Sequence, residues 1–211
     1  MVKAKEDKYV GDILSSDGKI SKTVKNRAIK GNGIISNIMN IIQELSLGRY
    51  HFELAVLLRE SMFLSSILLN SETWVNVTTE NIEMLESVDR IMLRRILDVP
   101  ISTSKPALYL ELGCIPIRYI IKARRLLFLQ YLLKRDKTET ISKVFWAQKQ
   151  NPVKDDWWLQ VEQDLKEFQL DHFTLEQIEK MSKYLFKKFV KESCRKIAFQ
   201  FLINEKEKLS K

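Results

Sequence analysis

Scarcity of backbone breakers is what most limits the folds open to this chain. Only 6 glycines and 4 prolines punctuate 211 residues. A loop-rich all-β fold needs turn formers at short intervals, and disordered chains are rich in Pro, Gly and polar residues. Neither description fits. The stretches between breakers are rich in Leu, Ile, Lys and Glu, which argues for helices. At 45% hydrophobic and 29% charged residues, the chain has material for a core and for a solvated surface.

Apolar spacing places the helices. Val24, Ala28, Ile35, Ile38 and Ile42 share one side of a helix that Ser21 can cap, weakened or split by Gly31 and Gly33. A nearly all-apolar run from Tyr50 to Leu69 predicts a helix central to the core. Thr78 or Thr79 can cap a helix reaching Leu97, with Ile82, Leu85, Val88, Met92 and Ile96 as its buried stripe and Val99-Pro100 as its stop. A short helix follows, with Pro106 in its first turn and Gly113 closing it. Pro116 opens a long helix to about Arg135, and a shorter one covers Glu139–Gln148. Asp155 or Asp156 can cap a helix carrying Trp157, Trp158, Val161, Leu165 and Phe168. Thr174 with Gln177 forms a capping-box pattern before the last helical region, which runs in one or two segments. Upstream, Tyr9–Leu14 reads as a short strand entering a turn at Ser15–Gly18, either alone or as a hairpin ending at Lys19-Ile20, which must dock on something to persist. The expected class is therefore mainly α, a bundle-like helical array with a short N-terminal β-hairpin or strand. Expected domains are 1–20 for the β element, 21–150 for a helical domain, and 151–211 for a helical extension beyond the linker Asn151–Lys154.

Catalytic constellations have little support. The one adjacent acidic pair, Asp155-Asp156, is explained by helix capping. Glu80, Glu83 and Glu86 with Arg90 and Arg94 read as a solvated face. Cys114 and Cys194, like His51 and His172, are isolated, which excludes zinc-finger spacing and points to buried, reduced thiols. Gly31-Asn32-Gly33 lacks the Lys-Ser/Thr of a phosphate-binding loop. No metal or cofactor is expected. The opening run Met1–Lys8 is polar and no apolar stretch reaches the length of a membrane span, so an intracellular chain, cytoplasmic or nuclear and without a membrane partner, is expected.

Charge is more informative. The formal net charge is +8 and the pI about 9.4, a balance that favours anionic partners. Lys22, Lys25, Arg27 and Lys30 fall in a segment without acids, and Arg118, Lys122, Arg124 and Arg125 begin a second such segment reaching Arg135. Stripes of this kind suit phosphate contacts, with the solvated surface as the plainer reading. A third stripe holds Lys180, Lys183, Lys187, Lys188 and Lys191. Its aromatics Tyr184, Phe186 and Phe189 read as core.

The order of short motifs resembles the region after the palm in animal non-LTR (LINE-type) retrotransposon reverse transcriptases. Tyr9-Val10-Gly11 through Ser16-Asp17-Gly18 resembles the family's "YLG…l…DG", and Arg27-Ala28 falls where the family has a basic residue and Ala. Leu68-Leu69-Asn70-Ser71-Glu72-Thr73-Trp74 resembles "LLYGSETW", with Asn70 in place of Tyr-Gly. Leu85-Glu86 through Leu93-Arg94-Arg95-Ile96-Leu97 resembles "LE…LRRIL". Leu108–Gly113 with Pro116-Ile117 resembles "LYLELG..PI", and Arg124-Arg125-Leu126 resembles "RRL". Lys154–Trp157, Met181-Ser182, Phe186–Lys188 and Ala198-Phe199 keep the family's order.

The resemblance implies a thumb and C-terminal region that grips a template–primer backbone. The family's catalytic Tyr/Phe-x-Asp-Asp box and its upstream aspartate lie before this region, and neither is matched. The expectation is thus a non-catalytic fragment that binds RNA or an RNA–DNA duplex and meets the absent reverse transcriptase palm. The other expectation, from a different class, is a helical protein-interaction module or orphan fragment with no activity of its own.

Overall fold

A computed structural model describes residues 6–9, 12–15, 20–45, 51–154 and 156–209. Strands β1 (Glu6–Tyr9) and β2 (Asp12–Ser15) pair antiparallel, with Tyr9 opposite Asp12 and Glu6 opposite Ser15. Helices follow in order: α1 (Ser21–Leu45), α2 (His51–Leu58), α3 (Ser65–Ile67), α4 (Thr79–Leu97), α5 (Lys105–Glu111), α6 (Ile117–Leu133), α7 (Thr140–Gln150), α8 (Trp157–Glu167), α9 (Leu175–Lys180) and α10 (Lys183–Leu209). The fold is mainly α, as the breaker count and apolar spacing predict. No helix among the described residues is long and apolar enough to cross a membrane.

The chain divides into two compact units. The first takes the described residues as far as Asn70, then Val77–Ile117 and those from Phe201; the second takes Ser71–Asn76 and Arg118–Gln200. This differs from the expected boundaries at 20 and 150. The turn at Pro152 does not separate domains, because the residues on its two sides share a core. Phe145 of α7 meets Trp157 and Trp158 of α8 edge to face, at ring-centroid distances of 6.3 and 5.8 Å.

In the first unit, α1 is one unbroken helix despite its two glycines. Val24, Ala28, Ile35, Ile38 and Ile42 are all buried, as their spacing requires. Gly31 lies on the same stripe. A Cβ there would sit 3.0 Å from Val88 Cγ1 and 3.1 Å from Phe63 Cε2, closer than ordinary contact, so the bare glycine lets α1 pack tightly on these side chains. The hairpin docks on α1: the Thr23 hydroxyl accepts from the Ile13 N–H at 2.7 Å and donates to the Ile13 carbonyl at 3.2 Å. The expected single strand Tyr9–Leu14 is corrected: its residues divide between β1 and β2, which pair with each other. The expected turn at Ser15–Gly18 falls, beyond Ser15, among residues 16–19, which lie outside those described.

Between α2 and α3 the helix widens into a π-helical stretch, Arg59–Leu64. Such widening commonly accommodates a side chain that a regular turn would misdirect. Here Arg59 is fully buried and forms a two-pronged pair with Asp89 of α4, at 2.7 and 2.6 Å. It also donates to the Ile115 carbonyl, while the Tyr109 hydroxyl donates to Asp89. Burial alone would lower the Arg59 pKa, but the Asp89 charge and hydrogen bonds outweigh it and raise the value. The run is not buried all round, as its composition suggested, because Phe52 and Leu57 face solvent. The expected solvated face of α4 is corrected in part: Glu80 is exposed, but Glu86 and Arg90 are buried and paired with each other. Leu93, Leu108, Tyr109, Cys114 and Leu202 complete a core cluster of this unit.

The second unit gathers α6 to α9 and residues 183–200 of α10 around Leu126, Leu129, Trp157, Val161, Phe168 and Phe186. The segment Ser71–Asn76 is held here by its backbone. Trp157 Nε1 donates to the Glu72 carbonyl at 2.7 Å, and Arg125 donates to the Trp74 carbonyl at 3.4 Å. The capping box at Thr174 and Gln177 is present in both directions.

Candidate nucleic-acid interface

Helix α1 presents its cations on the side away from its buried stripe. Lys22, Lys25 and Lys30 are exposed. They share that side with Ile29, which is 62% exposed, and with Asn32, Gly33, Ser36 and Asn40. The helix has one carboxylate, Glu44, in its last turn, so the exposed face is cationic over its first half. Arg27 does not belong to this face and is corrected. It is 4% exposed, pairs with Asp12 at 3.0 Å and donates to the Ser66 carbonyl. Its place on the stripe with Val24, Ala28 and Gly31 is the sequence signal that separates it from the three lysines.

The expected stripe on α6 also divides. Arg125 is buried, and its guanidinium donates to Asp164 of α8 at 2.6 Å. Burial pushes the Asp164 carboxyl up to about 6, against the opposing pull of Arg125 and Lys122. Lys122 pairs with Glu167 one turn further along α8. Lys122 and Arg125 thus serve to fasten α8 to α6, and Arg125 is removed from the set of phosphate ligands. Arg118 and Arg124 are half-buried. Burial pushes the Arg124 guanidinium below its ordinary value, with the Glu72 charge opposing the shift.

A concave surface that the charge stripes did not indicate lies along the C-terminal half of α6. A groove of about 630 Å³ is lined by Arg124, Phe128, Tyr131, Lys134 and Arg135 of this region and by Lys183 of α10. Glu72 is the one carboxylate among its described lining residues. Phe128 and Tyr131 stack with centroids 5.6 Å apart and planes inclined by 16°. The Arg135 guanidinium lies 4.5 Å from the Tyr131 centroid and donates to its hydroxyl. Arg135 also meets Glu139 at 3.4 Å, and Lys134 donates to the Met181 carbonyl. A smaller groove of about 440 Å³ is lined by Lys137, Lys143, Trp146, Ala147 and Gln150. Lys137 and Lys149 place their ammonium groups 5.6 and 5.7 Å from the Trp146 ring centre. The signal in the sequence is the spacing of Arg124, Phe128 and Tyr131, which sets a cation and two aromatics on one face of α6, with Arg135 just past its end.

On α10, Lys183, Lys187, Lys188, Lys191 and Arg195 are exposed. Phe186 is core, as expected, but Tyr184 is 79% exposed and belongs to the cationic surface. Of the acidic pair before α8, Asp156 stands at the N-cap and accepts from the Val153 N–H at 2.7 Å; Asp155 lies outside the described residues. Among the described residues, no group of three or more His, Cys, Asp or Glu side chains is placed to hold a metal ion. Cys114 and Cys194 are unpaired, buried thiols. Burial raises both, Cys194 to about 12. Comparison with protein families, with curated proteins and with solved structures finds no match.

Proposed function

We propose that this chain is a nucleic-acid-binding helical module of reverse-transcriptase type, which grips the backbone of a template–primer duplex and leaves the chemistry to another polypeptide segment. The observation that carries this reading is the exposed Lys22, Lys25 and Lys30 on a helix whose only acid lies at its far end. Phosphates are bound by such cations without regard to base sequence. The ordered series of motifs, from Tyr9-Val10-Gly11 to Ala198-Phe199, supports the family. Asn70 is a departure from it, one residue standing where the similar motif has Tyr-Gly; its φ is +61°, a left-handed conformation that Asn tolerates.

The catalytic box of the resembled enzymes lies outside the matched motifs, so binding without polymerisation is the activity proposed. The two-stranded sheet leaves an edge that a reverse transcriptase palm would extend. A nucleic-acid partner makes the cytoplasm or nucleus the proposed compartment. Titrating an RNA–DNA hybrid with the full chain at rising salt tests the reading. Affinity that falls by orders of magnitude between low and moderate salt supports it. Absence of binding at low salt leaves the protein-interaction reading in its place.

A further inference from the structure

We propose that the two grooves of the second unit form one track for single-stranded nucleic acid, separate from the lysine face of α1. The inference rests on the nucleic-acid reading above, and it names a second substrate class for a different surface. Arg135 lines the larger groove and Lys137 the smaller, with one residue between them, so the two concavities adjoin along the chain. Cations outnumber carboxylates in both linings.

Aromatic content selects a single strand over a duplex. A duplex hides its base faces in its own stack and offers phosphates, for which an aromatic wall has no use. An unpaired strand offers both, and single-strand sites combine cationic grooves with aromatic or guanidinium planes. Phe128 and Tyr131 already stack, and the Arg135 guanidinium lies over the Tyr131 ring, so the groove offers planar groups on which a base can stack. Trp146 is the second platform. Its partly exposed ring is covered at present by lysine ammonium groups, which move to phosphates when a base takes their place. The larger groove, at about 630 Å³, falls within the range of roughly 300–1,000 Å³ that small-ligand pockets occupy. Lys134, Lys143 and Lys183 are the phosphate ligands.

The test measures full-chain binding to a labelled uridine oligomer, to an abasic oligomer of equal length and to a blunt RNA–DNA hybrid. The variants are Trp146→Ala, Arg135→Ala, the exposed-site reversal Lys143→Glu, and Lys22→Glu with Lys25→Glu. Trp146→Ala and Arg135→Ala should each weaken the uridine oligomer on the order of tenfold, the scale of one lost stack, and leave the hybrid unchanged. Lys143→Glu, at an exposed position, should weaken the oligomer in the same way. The paired lysine reversal should do the opposite, weakening the hybrid alone. Equal binding of abasic and uridine oligomers overturns the stacking role. Hybrid binding without oligomer binding overturns the track and leaves the duplex reading standing. Failure of every nucleic acid to bind at low salt removes both. Displacement of the oligomer by polyglutamate at equal charge overturns the track by assigning the grooves to an acidic protein segment.

Discussion

At the scale of single residues, the two glycines of α1 have opposite meanings. Gly31 faces Val88 and Phe63 so closely that a Cβ would press on both side chains, whereas a Cβ at Gly33 would have nothing within 4 Å. Gly33→Ala should therefore raise stability by up to about 1 kcal/mol, the helix-propensity difference. Gly31→Ala should lower it by roughly 1–3 kcal/mol, because two buried side chains must shift. Thermal or denaturant unfolding of the two variants checks the pair, and equal effects would show that α1 does not close on Val88 and Phe63 as described. Asp89 offers a second contrast. Asp89→Ala leaves the buried Arg59 guanidinium unpaired and should cost about 3–5 kcal/mol, whereas joint replacement of Arg59 by Met and Asp89 by Leu should cost far less. Purely additive losses in that double-mutant cycle would contradict the pairing. Residue roles were the least legible part of the sequence. Lys25 and Arg27 look alike in a list of cations, yet one is solvated and the other paired inside. Arg59 and Asp89 are 30 positions apart, and local pattern does not link residues at that separation.

At the scale of elements, most of the fold was readable. Apolar residues three and four apart fixed α1, α4, α6 and α8. Thr78, whose hydroxyl accepts from the Asn81 N–H, and Thr174 fixed where two helices begin. The π-helical stretch was not readable, since it answers to where Arg59 must point and not to any local preference. The division of the Tyr9–Leu14 strand was missed for a related reason: a short run of β-formers does not show that it folds back on residues before it, and the contacts of Ile13 with Thr23 and of Asp12 with Arg27 that hold it lie outside the run. The joint between α6 and α8 carries a pH prediction. Asp164 holds its proton more tightly folded than unfolded, with a pKa raised from 3.8 to about 6. Its contribution to stability is then complete below the unfolded value and is lost as pH rises through the folded one. Carbon-13 NMR of the Asp164 carboxyl should show a midpoint near 6, and a midpoint near the ordinary 3.8 would mean that the Arg125 charge prevails over burial.

For the whole molecule, the +8 charge favours anionic partners but does not say which cations are exposed. Of the eight residues nominated from the sequence, Arg27 and Arg125 are internal struts, and Lys122 has a carboxylate partner. Lys22, Lys25 and Lys30 remain on open surface. The grooves beside Tyr131 and Trp146 escaped notice because a concavity arises from tertiary packing, which a one-dimensional pattern of charge does not contain. The division into units was likewise invisible, because the segment Ser71–Asn76 joins residues far away in the sequence.

The central claim is that the open lysine face of α1 neutralises duplex phosphates. Its most direct measurement is the slope of log affinity against log salt for an RNA–DNA hybrid, compared between the wild-type chain and the triple variant Lys22→Gln, Lys25→Gln, Lys30→Gln. Each lost phosphate contact should flatten the slope by about 0.7–0.9, so the triple variant should be shallower by roughly 2 to 3. An unchanged slope, with the variant folded, would contradict the account.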